Sequence, residues 1–154
     1  PDSPSAAPTG LQWLRRPRPP VSFGAALGES GLVSAMMDLS DGLKTDLNRL
    51  CAASGCGAPV SYTHLRAHDP DRLPADAALA GLSAPLPLQV AFGEDYQLLL
   101  CAPPMHSDAL RRLSKSHEIQ LTDIGHLTGS GAPVLREGSW PEAAFSHFDV
   151  AGKG

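Results

Sequence analysis

Two carboxylates and a hydroxyl lie close together in residues 37–43, which read Met-Asp-Leu-Ser-Asp-Gly-Leu. The residues before this segment are apolar and suit a strand, and the leucines after it recur at the spacing of a helix. The segment is therefore predicted to be a strand-to-helix turn that carries Asp38, Ser40 and Asp41. Backbone N–H groups at a helix start attract phosphate, and paired carboxylates bind a hard cation such as magnesium. The turn thus favours metal and phosphate chemistry.

Helix capping is the alternative interpretation of this segment. Ser and Asp are preferred N-cap residues, so a helix that starts at Ser40 or Asp41 would explain both side chains without a ligand. Capping does not explain Asp38, which lies within the apolar run at residues 35–39 and is expected to be half buried. An unpaired buried carboxylate is costly. We therefore expect a partner for Asp38, and a bound cation is one candidate.

A second acidic motif lies at residues 92–101, Phe-Gly-Glu-Asp-Tyr-Gln-Leu-Leu-Leu-Cys. It reads as a glycine turn with two acids, Glu94 and Asp95, that leads into an apolar strand. Two consecutive prolines after residue 102 end that strand. The alternative is that the two acids only form a turn, because Asp is common at such positions.

Composition excludes several classes of protein. The 154 residues suffice for one domain with a core. A net charge of −4 argues against a nucleic-acid partner. Every apolar run is shorter than the roughly 20 residues of a membrane span, and the N-terminus lacks signal-peptide order, so we expect a cytoplasmic protein with no membrane partner. Three cysteines without zinc spacing are expected to be reduced thiols.

The chain is predicted to comprise a linker or connector at residues 1–27 and a domain at residues 28–150. The first ten residues are rich in Pro, Ser and Ala, as linkers are. The prolines at positions 17, 19 and 20 argue against a regular helix, so an extended connector is predicted as far as Leu27.

Strands and helices are predicted to alternate in the domain. The predicted strands lie near residues 33–39, 58–61 and 120–127 and in the apolar part of residues 92–101, and the predicted helices lie near residues 41–53, 74–82 and 107–116. This order favours an α+β fold (an α/β two-layer domain), with a mixed sheet and helices packed on one face.

Several stretches together resemble thiamine-monophosphate kinase, a family within the aminoimidazole ribonucleotide synthetase-like superfamily. Residues 37–58 look like its pattern D-I-S-D-G-L…D-L…A-S-G-x-G-A, and residues 92–99 are similar to G-G-E-D-Y-E-L-L. Residues 14–19 resemble its proline-arginine connector, and residues 145–148 resemble its closing aromatic-x-His-Phe. The resemblance spans about residues 11–148.

The resemblance implies an enzyme that uses ATP and Mg²⁺ to phosphorylate thiamine monophosphate to thiamine diphosphate. It implies that this chain corresponds to the C-terminal domain, that the N-terminal ATP- and metal-binding domain lies outside it, and that the full-length enzyme is a homodimer. We therefore expect the chain alone to be inactive. The alternatives are another ATP-dependent synthetase of the superfamily and a non-catalytic binding module.

Roles pass only to residues that match the family's motifs. The resemblance makes Asp38 and Asp41 magnesium ligands, Ser40 an ATP contact and Glu94 a thiamine-substrate contact. The family also places an aromatic residue against the substrate near its C-terminus. Strict alignment puts Glu142 there, and Trp140, two residues away, is the candidate aromatic. The chain further departs from the family by Phe at position 92 and Gln at position 97.

Overall fold

The computed structural model describes residues 18–61, 63–65 and 96–136. Residues 63–65 are helical, and the other described elements are α-helices, a short 3-10 helix and strands. In chain order they are α1 (Val21–Ser30), β1 (Ala35–Asp38), α2 (Leu43–Ser54), β2 (Pro59–Ser61), β3 (Leu98–Cys101), the 3-10 helix (Pro104–His106), α3 (Ser107–Ser116) and β4 (Val134–Arg136). None of the helices in these ranges has the length and apolar character needed to cross a membrane.

The described strands form two separate pairs. β1 and β3 are antiparallel, with Asp38 opposite Leu98, and β2 and β4 are parallel, with Pro59 opposite Val134. The predicted α+β class is confirmed, and both strand orientations of a mixed sheet occur, although the described strands are not joined into one sheet.

Two apolar clusters form the core. Helix α1 packs on α3 around Phe23, Leu27 and Leu110. Helix α2 packs on β1, and its apolar face contributes to a second cluster that reaches β2 and β3. The buried members of this second cluster are Leu43, Leu47, Cys51, Ala58, Val60, Leu65 and Leu99. This cluster holds α2 against β1. The turn that joins β1 to α2 is therefore anchored at both ends.

The prediction of an extended connector is wrong over residues 21–27, which belong to α1. The prolines end at Pro20, directly before the helix, where a missing N–H costs little. The Pro20 carbonyl accepts from the Gly24 N–H at 2.9 Å, and Phe23 and Leu27, four residues apart, are both buried. This apolar stripe holds the helix against the domain. The division of the chain after residue 27 therefore falls inside α1.

The strand predicted at residues 120–127 does not form, because only the isolated bridge between Gly125 and Val60 falls within it. The Asp123 carboxylate accepts from the Gly125 N–H at 3.1 Å and bends the backbone locally. Gly125 also approaches the chain so closely that an added Cβ would lie 2.1 Å from the Pro59 carbonyl oxygen. The helix predicted at 107–116 is confirmed as α3, and the one predicted at 74–82 lies outside the described residues.

Candidate functional site

The turn between β1 and α2 lies beside the end of the second acidic motif. β1 ends at Asp38, but the pairing continues, since the Leu39 N–H donates to the Gln97 carbonyl at 2.8 Å and the Tyr96 N–H donates to the Leu39 carbonyl at 3.2 Å. The structure thus brings the two motifs together as far as Tyr96. Glu94 and Trp140 lie outside the described residues.

Gly42, not Ser40 or Asp41, is the N-cap of α2, so the predicted helix start is wrong by one or two residues. Gly42 has φ 95° and ψ 154°, a conformation that is almost confined to glycine. Gly42 itself has no side chain that could cap the helix. Ser40 and Asp41 lie just before this N-cap, where their side chains contact each other and Asp41 also contacts Arg49.

Asp38 is exposed, which corrects the prediction that it is half buried. Its neighbours Met37 and Leu39 both pack against the second apolar cluster. Because successive side chains of a strand point to opposite faces, Asp38 points away from that cluster. Its carboxylate therefore needs no internal partner and is accessible to a ligand from solvent.

Asp41 is the buried acid of the turn, with 5% of its surface exposed. The Arg49 guanidinium forms a salt bridge with its Oδ2, and the Ser40 hydroxyl donates to its Oδ1 at 3.2 Å. Charge-assisted contacts of this kind fix a carboxylate more firmly than neutral hydrogen bonds do. The Asp41 carboxylate is therefore held in one orientation.

Asp46 is fully buried, and neither the motif spacing nor the resemblance predicted a role for it. Its Oδ2 accepts from the Asp41 N–H at 2.9 Å, and its Oδ1 accepts from Arg49 Nη1 at 2.9 Å. These contacts offset the cost of burying a charge. One signal could have found it, because Asp46 follows Leu43 by three residues and precedes Leu47, so it lies on the apolar face of α2.

Arg49 links the two buried acids, although its own side chain is 56% exposed. The hydrogen bond with Asp41 is the main cause that raises the pKa of Arg49 above its ordinary value, while desolvation lowers it and the charges of Asp41 and Asp46 raise it further. The guanidinium is thus firmly protonated. One guanidinium is thus shared between two buried carboxyl groups.

Tyr96 and a neighbouring cavity complete the surroundings of the turn. Tyr96 has φ 52°, a left-handed conformation that non-glycine residues rarely adopt and that is often found at functional sites. A cavity of about 720 Å³ has Leu39, Gly42 and Gln97 among its lining residues, and its wall is largely apolar. This volume lies in the range of about 300–1,000 Å³ that is typical of small-molecule pockets.

The donor chemistry of the turn suits a hydrated magnesium ion. Mg²⁺ keeps several waters and commonly takes only one or two carboxylates, which Asp38 and Asp41 can supply. In the part of the chain that the structure describes, no group of three or more His, Cys, Asp or Glu side chains could hold a metal. A fuller metal cage would need ligands from elsewhere.

Known proteins resemble both the sequence and the fold. The family model described as AIR synthase related protein, C-terminal domain, matches residues 13–137. The thiamine-monophosphate kinase of Halobacterium salinarum is 36% identical over 121 residues, covering 78% of this chain and 38% of the relative. That of Salmonella typhimurium is 35% identical over 146 residues, covering 90% of this chain and 42% of the relative.

A solved structure also resembles this chain in fold and sequence. The crystal structure of thiamine-monophosphate kinase from Stenotrophomonas maltophilia K279a has a TM-score of 0.73 and 27% identity, covering 92% of this chain and 42% of that chain. The resemblance stated from the motifs is confirmed. The chain spans about two fifths of the length of the curated relatives named above.

Proposed function

The chain belongs to the family of AIR synthase related proteins, C-terminal domain, and from this premise we propose that it supplies the C-terminal half of a thiamine-monophosphate kinase site. The reaction is the transfer of a phosphate from ATP to thiamine monophosphate, which gives thiamine diphosphate. The observation that carries the proposal is the 35% identity to the Salmonella typhimurium kinase across 90% of this chain. The rest of the site would come from an N-terminal domain like those of the relatives.

The roles that we propose follow from the burial of each side chain. Asp38 is exposed at the end of β1 and would approach a cation from the solvent side. Asp41, held by Arg49, would present a fixed carboxylate oxygen to the same ion. Ser40 lies between them and would contact ATP. Mg²⁺, when bound, would neutralise the charge on the phosphates, and phosphoryl transfer depends mainly on such neutralisation and on positioning.

The remaining parts of the proposal rest on the resemblance. Glu94 would contact the thiamine substrate, and Trp140 is the candidate for the aromatic residue that packs against it. The pairing of Tyr96 with Leu39 supports the proposal for Glu94, since it holds the end of the second motif next to the turn. Homodimerisation and a cytoplasmic location are further parts of the proposal.

A fusion protein tests the proposed activity. This chain is joined behind the portion of the Salmonella typhimurium kinase that precedes the matched region, and thiamine diphosphate is measured by chromatography with ATP, Mg²⁺ and thiamine monophosphate present. We expect thiamine diphosphate to form, and we expect Asp41→Asn to reduce its rate sharply while the circular dichroism spectrum is unchanged. The Salmonella kinase that carries the same junction sequence at this point is the control for the junction.

A control substitution and an assay of ATP hydrolysis without thiamine monophosphate separate the alternatives. Asp108→Asn changes an exposed acid of α3 and should leave the rate unchanged. ATP hydrolysis that does not depend on thiamine monophosphate would favour another ATP-dependent synthetase of the family. A folded fusion without ATP turnover, beside an active control, would reject the kinase proposal and favour a non-catalytic binding module.

A further inference from the structure

We propose that Asp46 is a positioning residue, which holds the Asp41 carboxylate in the orientation that binds a divalent cation. It would act through two contacts, one with the backbone of Asp41 and one with the guanidinium of Arg49. The inference rests on the proposed function for its assignment of the turn as a cation site. The resemblance gave roles to Asp38, Ser40 and Asp41 but none to Asp46.

The first contact fixes the backbone of the turn to the helix. The Asp46 side chain is fully buried in the first turn of α2, and its Oδ2 accepts from the Asp41 N–H at 2.9 Å. The residue between Asp41 and the helix is Gly42, which has no side chain to anchor the chain. The bond from Asp46 therefore sets where Asp41 lies relative to α2. The geometry resembles a capping box, in which an acid early in a helix reaches back to an N–H before it.

The second contact divides one positive charge between two acids. Arg49 Nη1 lies 2.9 Å from Asp46 Oδ1 and also forms the salt bridge with Asp41. Without the Asp46 carboxylate, as in Asp46→Asn, the guanidinium would pair mainly with Asp41 and would compete with a cation for its oxygens. The contact with Asp46 instead divides the guanidinium between two carboxylates. Both contacts therefore predict that loss of the Asp46 carboxylate weakens cation binding at Asp41.

An ordinary salt bridge within a helix would not have this effect, and α3 supplies a matched example. Asp108 and Arg111 have the same three-residue spacing as Asp46 and Arg49, with Nη1 and Oδ1 3.4 Å apart. Their side chains are largely exposed, at 84% and 65%. Asp108→Asn is therefore the control for Asp46→Asn, because both remove one charge from an Asp–Arg pair of equal spacing.

Manganese binding to the isotope-labelled 154-residue chain provides a measurement that is independent of activity. Mn²⁺ broadens the amide resonances of nearby residues even when it binds weakly, so a titration followed at residues 38–43 gives its Kd. We expect Asp46→Asn to raise this Kd about 10- to 100-fold, which is the usual effect of removing a residue that supports a metal ligand. The Asp41 amide should also exchange its hydrogen faster. Asp108→Asn should change neither quantity.

Three results would overturn the proposal. An Asp46→Asn chain that keeps the remaining resonances and binds Mn²⁺ like the wild type would show that Asp46 does not position the ligand. A wild-type chain without broadening at residues 38–43 would show that the turn binds no cation. If the variant fails to fold, it is repeated in a Gly28→Ala background, which should stabilise α1, and failure there too would assign Asp46 to folding alone.

Magnesium dependence in the fusion protein separates this inference from the proposed function. For a positioning residue, Asp46→Asn should raise the Mg²⁺ concentration for half-maximal rate about 10- to 100-fold and largely preserve kcat at saturating Mg²⁺. Asp41→Asn should lower kcat at every Mg²⁺ concentration. A fusion that forms no thiamine diphosphate, together with the expected Mn²⁺ results, would reject the kinase and keep the role of Asp46. An active fusion whose Mg²⁺ dependence is unchanged by Asp46→Asn would support the kinase and reject the positioning role of Asp46.

Discussion

Replacement of Gly42 by alanine tests whether the backbone of the turn builds the site. Gly42 has φ 95° and ψ 154°, and a side chain held in such a region costs about 1–3 kcal/mol. The substitution also reduces the entropy of the unfolded chain, which stabilises a protein by about 0.4–1 kcal/mol. The two effects together predict a net loss of about 1–2 kcal/mol in the free energy of unfolding.

Urea denaturation followed by circular dichroism measures this loss, and Gly28→Ala is its matched control. Gly28 lies inside α1, and an added Cβ there meets nothing within 4 Å. Alanine is favoured over glycine inside a helix by about 0.5–1 kcal/mol, so this variant should be more stable than the wild type. The same chemical change is thus expected to have opposite signs at the two positions. In thermal unfolding, each kcal/mol should shift Tm by about 2–4 °C for a chain of this size.

The strain at position 42 should also reach the site. Relief of the strain requires the turn to move, and such movement would break the bond between the Asp41 N–H and Asp46. We therefore expect Gly42→Ala to weaken Mn²⁺ binding at the turn as well as stability. If the variant matches the wild type in both stability and amide shifts at residues 38–43, the argument that this backbone conformation builds the site is refuted.

Four further outcomes can be measured. Leu47→Ala should lower the free energy of unfolding by about 2–5 kcal/mol because it leaves a cavity in the second cluster, while Met105→Ala, which is exposed, should stay within about 0.5 kcal/mol of the wild type in the same urea assay. Gly125→Ala should also destabilise the chain in that assay, because its Cβ would clash with the Pro59 carbonyl; wild-type stability would contradict the close approach. Desolvation raises the pKa of the Cys51 thiol from 9.0 to about 11, so above pH 9 the unfolded chain loses this proton before the folded chain does. This difference should leave the free energy of unfolding unchanged below pH 9 and lower it by about 2 kcal/mol by pH 11. The fall should be smaller for Cys51→Ala. Calorimetry should detect weak or no binding of ATP with Mg²⁺ to the 154-residue chain, and tight binding would contradict the view that the site needs a second domain.

The sequence predicted the elements whose signal is local. The leucine spacing of α2, the apolar run of β3 and the full extent of α3 all appear in the structure. The glycine stop also holds, since Gly55 ends α2 in the left-handed conformation. Errors arose where a local signal was overruled by packing. The buried stripe of α1 outweighs the nearby prolines, and the close approach of Gly125 to Pro59 outweighs an alternating pattern.

The acidic turn was predicted by position but not by burial. Asp38, Ser40 and Asp41 do form one turn, yet the acid expected to be buried is exposed and a helical acid is fully buried instead. Burial of a carboxylate depends on whether a charged partner reaches it in the folded chain. Arg49 is such a partner, and its contact with Asp41 crosses from the second turn of α2 to the loop before it. The sequence motif contains both residues but does not show that their side chains are in contact.

Asp38, Asp41 and Asp46 differ in exposure, and this difference determines which role each side chain can take. A fully buried carboxylate such as Asp46 must keep its partners in every state of the protein, because losing them leaves a charge unpaired in the core. It is therefore suited to hold other groups and unsuited to exchange ligands. Asp38, in contact with solvent, can exchange water for a cation at little cost to the fold. Asp41 is buried, and Arg49 and Asp46 orient it before a ligand arrives. Orientation in advance removes part of the cost of binding. Substitution of Asp38 should therefore affect cation binding without affecting stability, whereas substitution of Asp46 should affect both.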